Sequence, residues 1–333
     1  MSDGQREPEP SPRPVLLQVD ALKVHFPSGR KSLFGADQVV KAVDGVSFLV
    51  HEGEAVAIVG ESGCGKSTTG NAILGLAPVT EGQVSFRGRD IADLGPDERA
   101  SMWRNLQVIF QDPVAALNPK RTIGQSIAEP LAINKVPRTQ QNERVATLLD
   151  LVGLNPGQRD RFPNELSGGQ RQRVVIARAL ALEPDLIICD EPVSALDVSI
   201  QSQILNLLMK LQRDLGLAYL FISHDLSVVR HIADRVIVMY LGHIVEQGPA
   251  DVLFRAPRHP YTEALLSAIP LPDPILERAK KRVLLEGDLP SPVNPPKGCP
   301  FVTRCPIREA RCADEKPGLQ QDEHGREAAC FLR

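Results

Sequence analysis

A glycine-rich turn carries the clearest chemistry in the chain. Residues 60–67 read GESGCGKS, that is, a glycine, four further residues and then Gly-Lys-Ser. The backbone N–H groups of such a turn can converge on phosphate oxygens, while its lysine adds a point charge and its hydroxyl can ligate Mg²⁺. The turn therefore predicts a site for a nucleoside triphosphate. The residues expected to hold the phosphates are Gly60, Ser62, Gly63, Cys64, Gly65, Lys66, Ser67 and Thr68.

Two neighbouring acids stand at the end of an apolar run. DLIICD predicts a strand that ends at Asp190, and Glu191 follows it. Beside a phosphate-binding turn, an aspartate in this place can hold Mg²⁺ together with Ser67, and the adjacent glutamate can orient or deprotonate an attacking water. Taken alone, two acids after an apolar run are also a common way to cap a helix. Combined with the turn, the pair favours catalysis.

The elements that must place these residues follow an α/β pattern. EAVAIVG predicts a buried strand before the turn, and KSTTGNAILGL predicts a helix after it. Farther along, DLIICD and AYLFIS predict strands that alternate with helices, which implies a largely parallel sheet covered on both faces. RVIVMY and HIVEQG are separated by two residues and predict a hairpin.

Other regions flank this pattern. LLQVDALKVHF and AVDGVSFLV predict two antiparallel strands around an insertion at residues 27–37. Residues 113–166 predict a mostly helical insert, because apolar residues recur there every three or four positions. Residues 1–14 are rich in proline, glutamate and serine without periodicity, which predicts a disordered tail.

The composition sets limits on partners. Lysine and arginine total 38 and aspartate and glutamate 41, so the net charge of −3 gives no electrostatic reason to expect a nucleic acid. No window reaches the ~18 consecutive apolar residues of a membrane-spanning helix. The beginning of the chain lacks the apolar core of a signal peptide. We therefore expect a chain with no membrane span and no nucleic-acid partner.

Further motifs point to a family. LSGGQ stands at residues 166–170, Gln111 lies within FQDP, SALD covers residues 194–197, and His224 follows a predicted strand. With the phosphate-binding turn and the acidic pair, these motifs resemble the complete set of ABC transporter ATPase subunits, in the same order and spacing. The resemblance implies a P-loop NTPase fold of the ABC ATPase type, with ATP and Mg²⁺ as cofactors.

The resemblance also implies roles for single residues. Two ATPase subunits of this family meet head to tail, so Ser167, Gly168, Gly169 and Gln170 of one would close on the γ-phosphate held by the other. Gln111 would sense Mg²⁺ and water, Glu191 would be the general base, and His224 would contact the γ-phosphate. Asp197 would lie at the dimer interface. An aromatic residue of the early strands would stack on adenine; Phe26 is the candidate, with Phe34 or a plain core role for Phe26 as alternatives.

The end of the chain narrows the family. RHPYTE at residues 258–263, LPSPVNPP at 289–296 and CPF at 299–301 resemble the C-terminal extension of oligopeptide and dipeptide importer ATPases, closest to the second, F-type subunit. This implies an ATPase domain over residues 15–255 and an extension over 256–333. The implied partners are a sister ATPase, two membrane permeases and, indirectly, an extracytoplasmic solute-binding protein. The chain would then lie peripherally on the cytoplasmic face of the membrane. The alternative is a soluble ABC ATPase that acts on ribosomes or DNA.

Four of the six cysteines crowd into the last 35 residues: Cys299, Cys305, Cys312 and Cys330. None of their spacings is the two-residue spacing usual in zinc knuckles. They resemble the set that ligates a [4Fe–4S] cluster in some members of this importer family. Structural zinc and free or disulfide-linked thiols remain the alternatives.

Overall fold

The computed structural model describes residues 13–27, 39–270, 273–280 and 282–333. All but the last two residues of the predicted tail lie outside this range, as does the insertion beyond Pro27. The strands of the described residues are β1 (Val15–Pro27), β2 (Val39–His51), β3 (Ala55–Val59), β4 (Glu81–Phe86), β5 (Arg89–Asp90), β6 (Leu106–Ile109), β7 (Leu186–Asp190), β8 (Ala218–Ser223), β9 (Arg235–Tyr240), β10 (His243–Pro249), β11 (Gln320–Gln321) and β12 (Glu327–Ala328). The helices of the same residues are α1 (Lys66–Ile73), α2 (Pro96–Asn105), α3 (Pro113–Ala116), α4 (Ile123–Ile133), α5 (Arg138–Leu151), α6 (Gly168–Ala179), α7 (Val198–Leu215), α8 (Leu226–Ile232), α9 (Ala250–Arg255), α10 (Pro260–Ser267), α11 (Pro274–Ala279) and α12 (Arg311–Asp314).

The main sheet has the strand order β11-β12-β10-β9-β3-β8-β7-β6. Strand β3 pairs in parallel with β8 and β9, and β7 pairs in parallel with β6 and β8. All five residues of β3 are buried, because helices or the second sheet cover both faces of this central strand. The predicted parallel core is confirmed, and so is the hairpin of β9 with β10.

A second sheet is antiparallel and has the order β2-β1-β4-β5. Strands β1 and β2 pair along most of their length, which confirms the predicted antiparallel pair. Inward side chains such as Leu17 and Val46 share one hydrophobic core with Ile58 of β3 and Ile73 of α1. The second sheet therefore packs on the strand and the helix that flank the glycine turn.

Residues 113–166 are helical, as their periodicity predicts. They contain α3, α4, α5 and two 3-10 turns, Pro156–Gln158 and Pro163–Glu165. The apolar face of α4 and α5 packs into the main core, with Ile127, Leu148 and Leu149 buried against α6. The insert thus lies directly beside the helix that begins after the LSGGQ motif.

The C-terminal part of the chain packs on the main sheet. Strand β12 pairs antiparallel with β10, and Phe301 is fully buried. The Phe301 ring lies 5.2 Å from the ring of Tyr240 at the end of β9 and 5.5 Å from that of Tyr261 in α10. Among the described helices, none combines the length and the apolar character needed to cross a lipid bilayer.

Candidate nucleotide site

The phosphate loop, residues 60–67, connects the end of β3 to the start of α1. Gly65 has φ +105°, and a Cβ there would lie 2.2 Å from the carbonyl oxygen of Ala42. Gly60 has φ +154°, and a Cβ there would lie 2.2 Å from the carbonyl oxygen of Met239. Only glycine fits both positions, since a side chain would clash with backbone atoms. The loop is therefore held in a tight curve at the N-terminus of α1.

Lys66 lies inside this curve. Its side chain is nearly buried, and Nζ donates to the carbonyl oxygens of Gly60 at 2.8 Å and Glu61 at 3.0 Å. The ammonium group and the N-terminus of α1 together make this end of the cavity positive. A cavity of about 430 Å³ opens at the loop and is lined by Val40, Ala42, Ser62, Gly63, Gly65, Lys66, Ser67, Thr68, Gln111, Glu191, His224 and Pro292. Cys64 is fully buried behind this lining.

Ser67 and Asp190 form the pair predicted to hold Mg²⁺. The Ser67 hydroxyl donates to Oδ1 of Asp190 at 3.0 Å. Burial raises the pKa of Asp190, and the hydrogen bond from Ser67 partly offsets this effect. A hydroxyl and a carboxylate are the hard oxygen ligands that Mg²⁺ prefers, so the pair fits the ion. When bound, Mg²⁺ would supply charge neutralisation at the phosphates.

Glu191 stands where three elements meet. One carboxylate oxygen lies 2.8 Å from Nδ1 of His224, and the other accepts a hydrogen bond from Nε2 of Gln111 at 2.9 Å. The backbone of Glu191 is in the left-handed region, with φ +47°, and its N–H donates to the carbonyl oxygen of Ile222. A non-glycine residue in this region is strained, which is common where a side chain must be aimed at a site. The structure therefore brings Gln111, Glu191 and His224 together beside the phosphate loop.

The LSGGQ motif forms an exposed helix N-terminus. Ser167 is the N-cap of α6: its hydroxyl accepts from the N–H of Gln170 at 3.3 Å, while Oε1 of Gln170 accepts from the N–H of Ser167 at 3.0 Å. Ser167 and Gly168 are exposed, and no residue of the motif lines the cavity of its own chain. A Cβ on Gly169 would lie 2.6 Å from Cγ2 of Ile200, so this glycine lets α6 pack closely on α7.

Comparisons with known proteins now decide the family. The pattern of the family described as ABC transporter matches residues 43–194, and that of the oligopeptide/dipeptide transporter C-terminal region matches residues 245–312. The oligopeptide transport ATP-binding protein OppF of Salmonella typhimurium is 55% identical over 312 residues, 92% of this chain and 93% of that protein. The dipeptide transport ATP-binding protein DppF of Escherichia coli is 49% identical over 317 residues, 95% of this chain and 94% of that protein. The chain belongs to the ABC transporter ATPase family, in its oligopeptide/dipeptide branch.

Solved ABC ATPases share its fold. CbiO1 of Clostridium perfringens, part of an ABC transporter complex, is 28% identical with a TM-score of 0.63, covering 73% of this chain and 92% of that chain. The ATP-binding cassette MJ0796, described as a dimer in a post-hydrolysis state with ADP and Pi, is 31% identical with a TM-score of 0.61. That match covers 71% of this chain and 99% of that one. The predicted P-loop NTPase fold of the ABC type is confirmed, and the chain is an ATPase of this type.

Asp197 of this ABC ATPase caps the helix that follows the SALD motif. Its Oδ1 accepts from the Ser199 hydroxyl at 2.8 Å and from the N–H of Ile200 at 3.1 Å. The Ser199 hydrogen bond is the main cause that lowers the pKa of Asp197, so the carboxylate stays charged. The interface role of Asp197 stays a prediction.

The aromatic residue expected at adenine is not placed by the structure. Phe26 is partly buried, packs against the core between the sheets, and is not among the residues that line the cavity. Phe34 lies outside the described residues. Val40, Ala42 and Pro292 are apolar residues that line the cavity. The stacking role of Phe26 stays a prediction without support from this geometry.

Sequence reasoning missed three residues of the extension that touch the site. Pro292 lines the cavity, and its carbonyl oxygen accepts from the N–H of Lys41 at 3.2 Å. Tyr261 and Arg304 contact Glu61 of the phosphate loop. The motifs RHPYTE and LPSPVNPP contain Tyr261 and Pro292, but a motif alone carries no signal for a contact with a residue 200 or more positions away.

The four clustered cysteines lie near one another as free thiols. The N–H of Cys299 donates to the carbonyl oxygen of Cys312 at 2.9 Å. Burial, with the nearby thiols Cys305, Cys312 and Cys330 as further causes, raises the pKa of Cys299 to about 11. Within the described part of the chain, however, no group of three or more His, Cys, Asp or Glu side chains is arranged to hold a metal ion. The predicted iron–sulfur or zinc site is thus not supported by the structure.

Proposed function

We propose that this ABC ATPase powers the import of dipeptides or oligopeptides through a membrane transporter. The observation that carries the proposal is the cavity itself, which Lys66, Ser67 and Glu191 line, with Asp190 accepting a hydrogen bond from Ser67. The names of the relatives, oligopeptide and dipeptide transport ATP-binding proteins, support the class of solute. The extension pattern over residues 245–312 supports the same class.

In the proposed mechanism, the loop and α1 bind the triphosphate and Glu191 acts as general base. Lys66 and the backbone N–H groups of the loop neutralise the phosphates, and Ser67 and Asp190 hold Mg²⁺. Gln111 and His224 fix the Glu191 carboxylate through its two oxygens, so that it can accept a proton from a water at the γ-phosphate. His224 is exposed enough to contact the γ-phosphate as well.

We further propose that the site is completed by a second ATPase. The N-terminus of α6 does not line the cavity of its own chain and exposes Ser167 and Gly168, which suits close approach to a γ-phosphate bound elsewhere. A head-to-tail dimer with a sister ATPase would bring it there. Two permeases, with a solute-binding protein outside, would complete the transporter, with this chain peripheral on the cytoplasmic face. Residues 15–255 would form the ATPase domain and 256–333 the extension.

The four cysteines retain one proposal. The resemblance to members of this importer family with the same cysteines suggests a shared ligand, an iron–sulfur cluster or else zinc, although no metal-holding arrangement is found among the described residues. Anaerobically purified protein is assayed for iron, acid-labile sulfide and zinc. Iron with sulfide would support the cluster, zinc without iron would favour the alternative, and protein free of both would refute the proposal.

The proposed function is tested by identifying the proteins that co-purify with the full chain. Affinity-tagged protein is purified from detergent-solubilised membranes, and we expect two permeases and a sister ATPase with it. ATP hydrolysis by that complex should rise when peptide-loaded binding protein is added. Recovery with ribosomes or DNA, and no membrane proteins, would contradict the proposal and favour a soluble ABC ATPase.

A further inference from the structure

Two residues of the C-terminal extension form hydrogen bonds with Glu61, the second residue of the phosphate loop. The Arg304 guanidinium makes two parallel contacts with its carboxylate, Nη1 to Oε2 at 2.8 Å and Nη2 to Oε1 at 3.1 Å. The backbone N–H of Glu61 donates to the hydroxyl of Tyr261 at 2.8 Å. The loop is therefore fixed by its side chain and its backbone at the same residue.

The same residue also sets the position of the phosphate-binding lysine. The carbonyl oxygen of Glu61 accepts from Nζ of Lys66 at 3.0 Å. Gly60, Gly63 and Gly65 all have positive φ, and glycine has more backbone freedom than any other residue. The contacts at Glu61 restrict the conformations of this loop before ATP binds. The loss of conformational entropy on nucleotide binding is therefore smaller.

The Arg304 side chain is itself largely buried and packed against an aromatic ring. Its side chain is 9% exposed, and its guanidinium carbon lies 5.9 Å from the centre of the Tyr240 ring. Phe301, three residues earlier, is fully buried among the rings of Tyr240 and Tyr261. Cys305 follows Arg304 directly, so the loop that carries the clustered cysteines also carries the arginine. A bidentate pair of this kind fixes direction as well as distance.

We propose that Arg304 is a positioning residue for the phosphate loop: through Glu61 it holds the loop ready for ATP, and the cysteine-bearing extension thereby sets nucleotide affinity. Arg304 does not line the nucleotide cavity. Its effect on ATP must therefore pass through Glu61, which distinguishes it from a direct ligand. The proposal rests on the proposed function only in that ATP must bind at this loop.

The test compares ATP affinity in the full chain, with and without the pair. Arg304→Gln should raise the dissociation constant for ATP about 5- to 10-fold, at the low end of measured couplings between sites. In the Glu61→Gln background the same substitution should change it less than about 2-fold, because the partner is already gone. Arg304→Lys keeps the charge but cannot make both parallel contacts, so it should recover only part of the affinity. In the assembled transporter, KM for ATP should rise while kcat stays within about 2-fold.

Arg308→Gln is the matched control, since it removes the same charge from the same loop. Arg308 is exposed, and its guanidinium donates to the carbonyl oxygen of Thr303 at 3.5 Å. This variant should bind ATP as the unmodified protein does.

Four results would overturn the proposal. They are an unchanged dissociation constant in Arg304→Gln, an equal effect of Arg304→Gln in both backgrounds, an equal loss of affinity in Arg308→Gln, or a fall in kcat with KM unchanged. If Arg304→Gln does not fold, Glu61→Gln replaces it, because this change removes the carboxylate that Arg304 contacts; unchanged affinity in that variant would overturn the proposal too. Failure of the unmodified protein to bind ATP would instead refute the proposed function.

Discussion

One carboxylate oxygen of Glu191 lies 2.8 Å from Nδ1 of His224. The other oxygen accepts a hydrogen bond from Gln111, so both oxygens of the carboxylate are in use. His224 follows β8, Gln111 follows β6, and Glu191 follows β7, which lies between them in the sheet. Because parallel strands end at one edge, residues far apart in the chain meet at a single carboxylate.

Glu191→Gln should bind ATP but lose most of its hydrolysis. The amide cannot accept a proton from water, while it keeps the size and most contacts of the carboxylate. We expect turnover in the assembled transporter to fall at least about 100-fold, with the dissociation constant for ATP little changed. Phosphate release and equilibrium binding measure the two effects. Glu143→Gln, on the exposed face of α5, is the control, and unaltered turnover in Glu191→Gln would rule out its role as base.

His224→Gln should also reduce turnover more than binding. The substitution removes the imidazole that contacts Glu191 and that we place near the γ-phosphate. A fall of about 100-fold in kcat is expected, with a smaller change in KM. His231→Gln changes an exposed histidine at the end of the adjacent helix α8 and should leave both values unchanged. A rise in KM alone would mean that His224 serves binding rather than catalysis.

Gly65→Ala should destabilise the chain and abolish tight ATP binding. Its Cβ would lie 2.2 Å from the carbonyl oxygen of Ala42, and its backbone has φ +105°. Gly216→Ala is the control, because that glycine also has positive φ but has no atom within 4 Å of the added Cβ. Backbone strain alone should lower the free energy of unfolding of the control by about 1 kcal/mol. Thermal unfolding that affects both variants equally would contradict the crowding described at Gly65.

Mild acid should destabilise the fold through His259. Burial lowers the pKa of this histidine from 6.5 to about 3, and its Nδ1 accepts from the N–H of Tyr261. As the pH falls from 6.5 towards 3, His259 binds a proton in the unfolded chain but not in the folded chain. The free energy of unfolding therefore decreases over this pH range. The loss is at most about 1.4 kcal/mol per pH unit. Burial acts likewise on His243, whose pKa falls to about 4.

His259→Asn tests this explanation. Asparagine keeps an acceptor at the N-cap of α10 and does not titrate. The free energy of unfolding of this variant should therefore fall less steeply between pH 6.5 and 4 than that of the unmodified protein. Equal slopes would show that His259 does not cause the acid sensitivity, whatever the absolute stability of the variant.

Site residues could be predicted from the sequence where residues adjacent in the chain act together. Lys66 and Ser67 belong to one loop, and Asp190 ends an apolar run, so the local sequence pattern was enough to assign all three residues to the site. Arg304 and Glu61 are 243 positions apart, and no local pattern signals that they meet. Phe26 shows a different limit of sequence reasoning. An aromatic residue on an early strand can pack in the core, as Phe26 does, as readily as it can stack on adenine. The cysteines could be grouped by spacing, but spacing does not fix how their sulfur atoms are arranged.

If ATP bound at Lys66 drives peptide import, peptide uptake into proteoliposomes should depend on this residue. The transporter is reconstituted with ATP on the side of this chain and with labelled oligopeptide and binding protein on the other. We predict ATP-dependent accumulation of peptide by the unmodified complex and none by a complex with Lys66→Ala, which removes the charge at the phosphates. Equal accumulation by both complexes, or none by the unmodified one, would show that ATP bound at Lys66 does not drive peptide import.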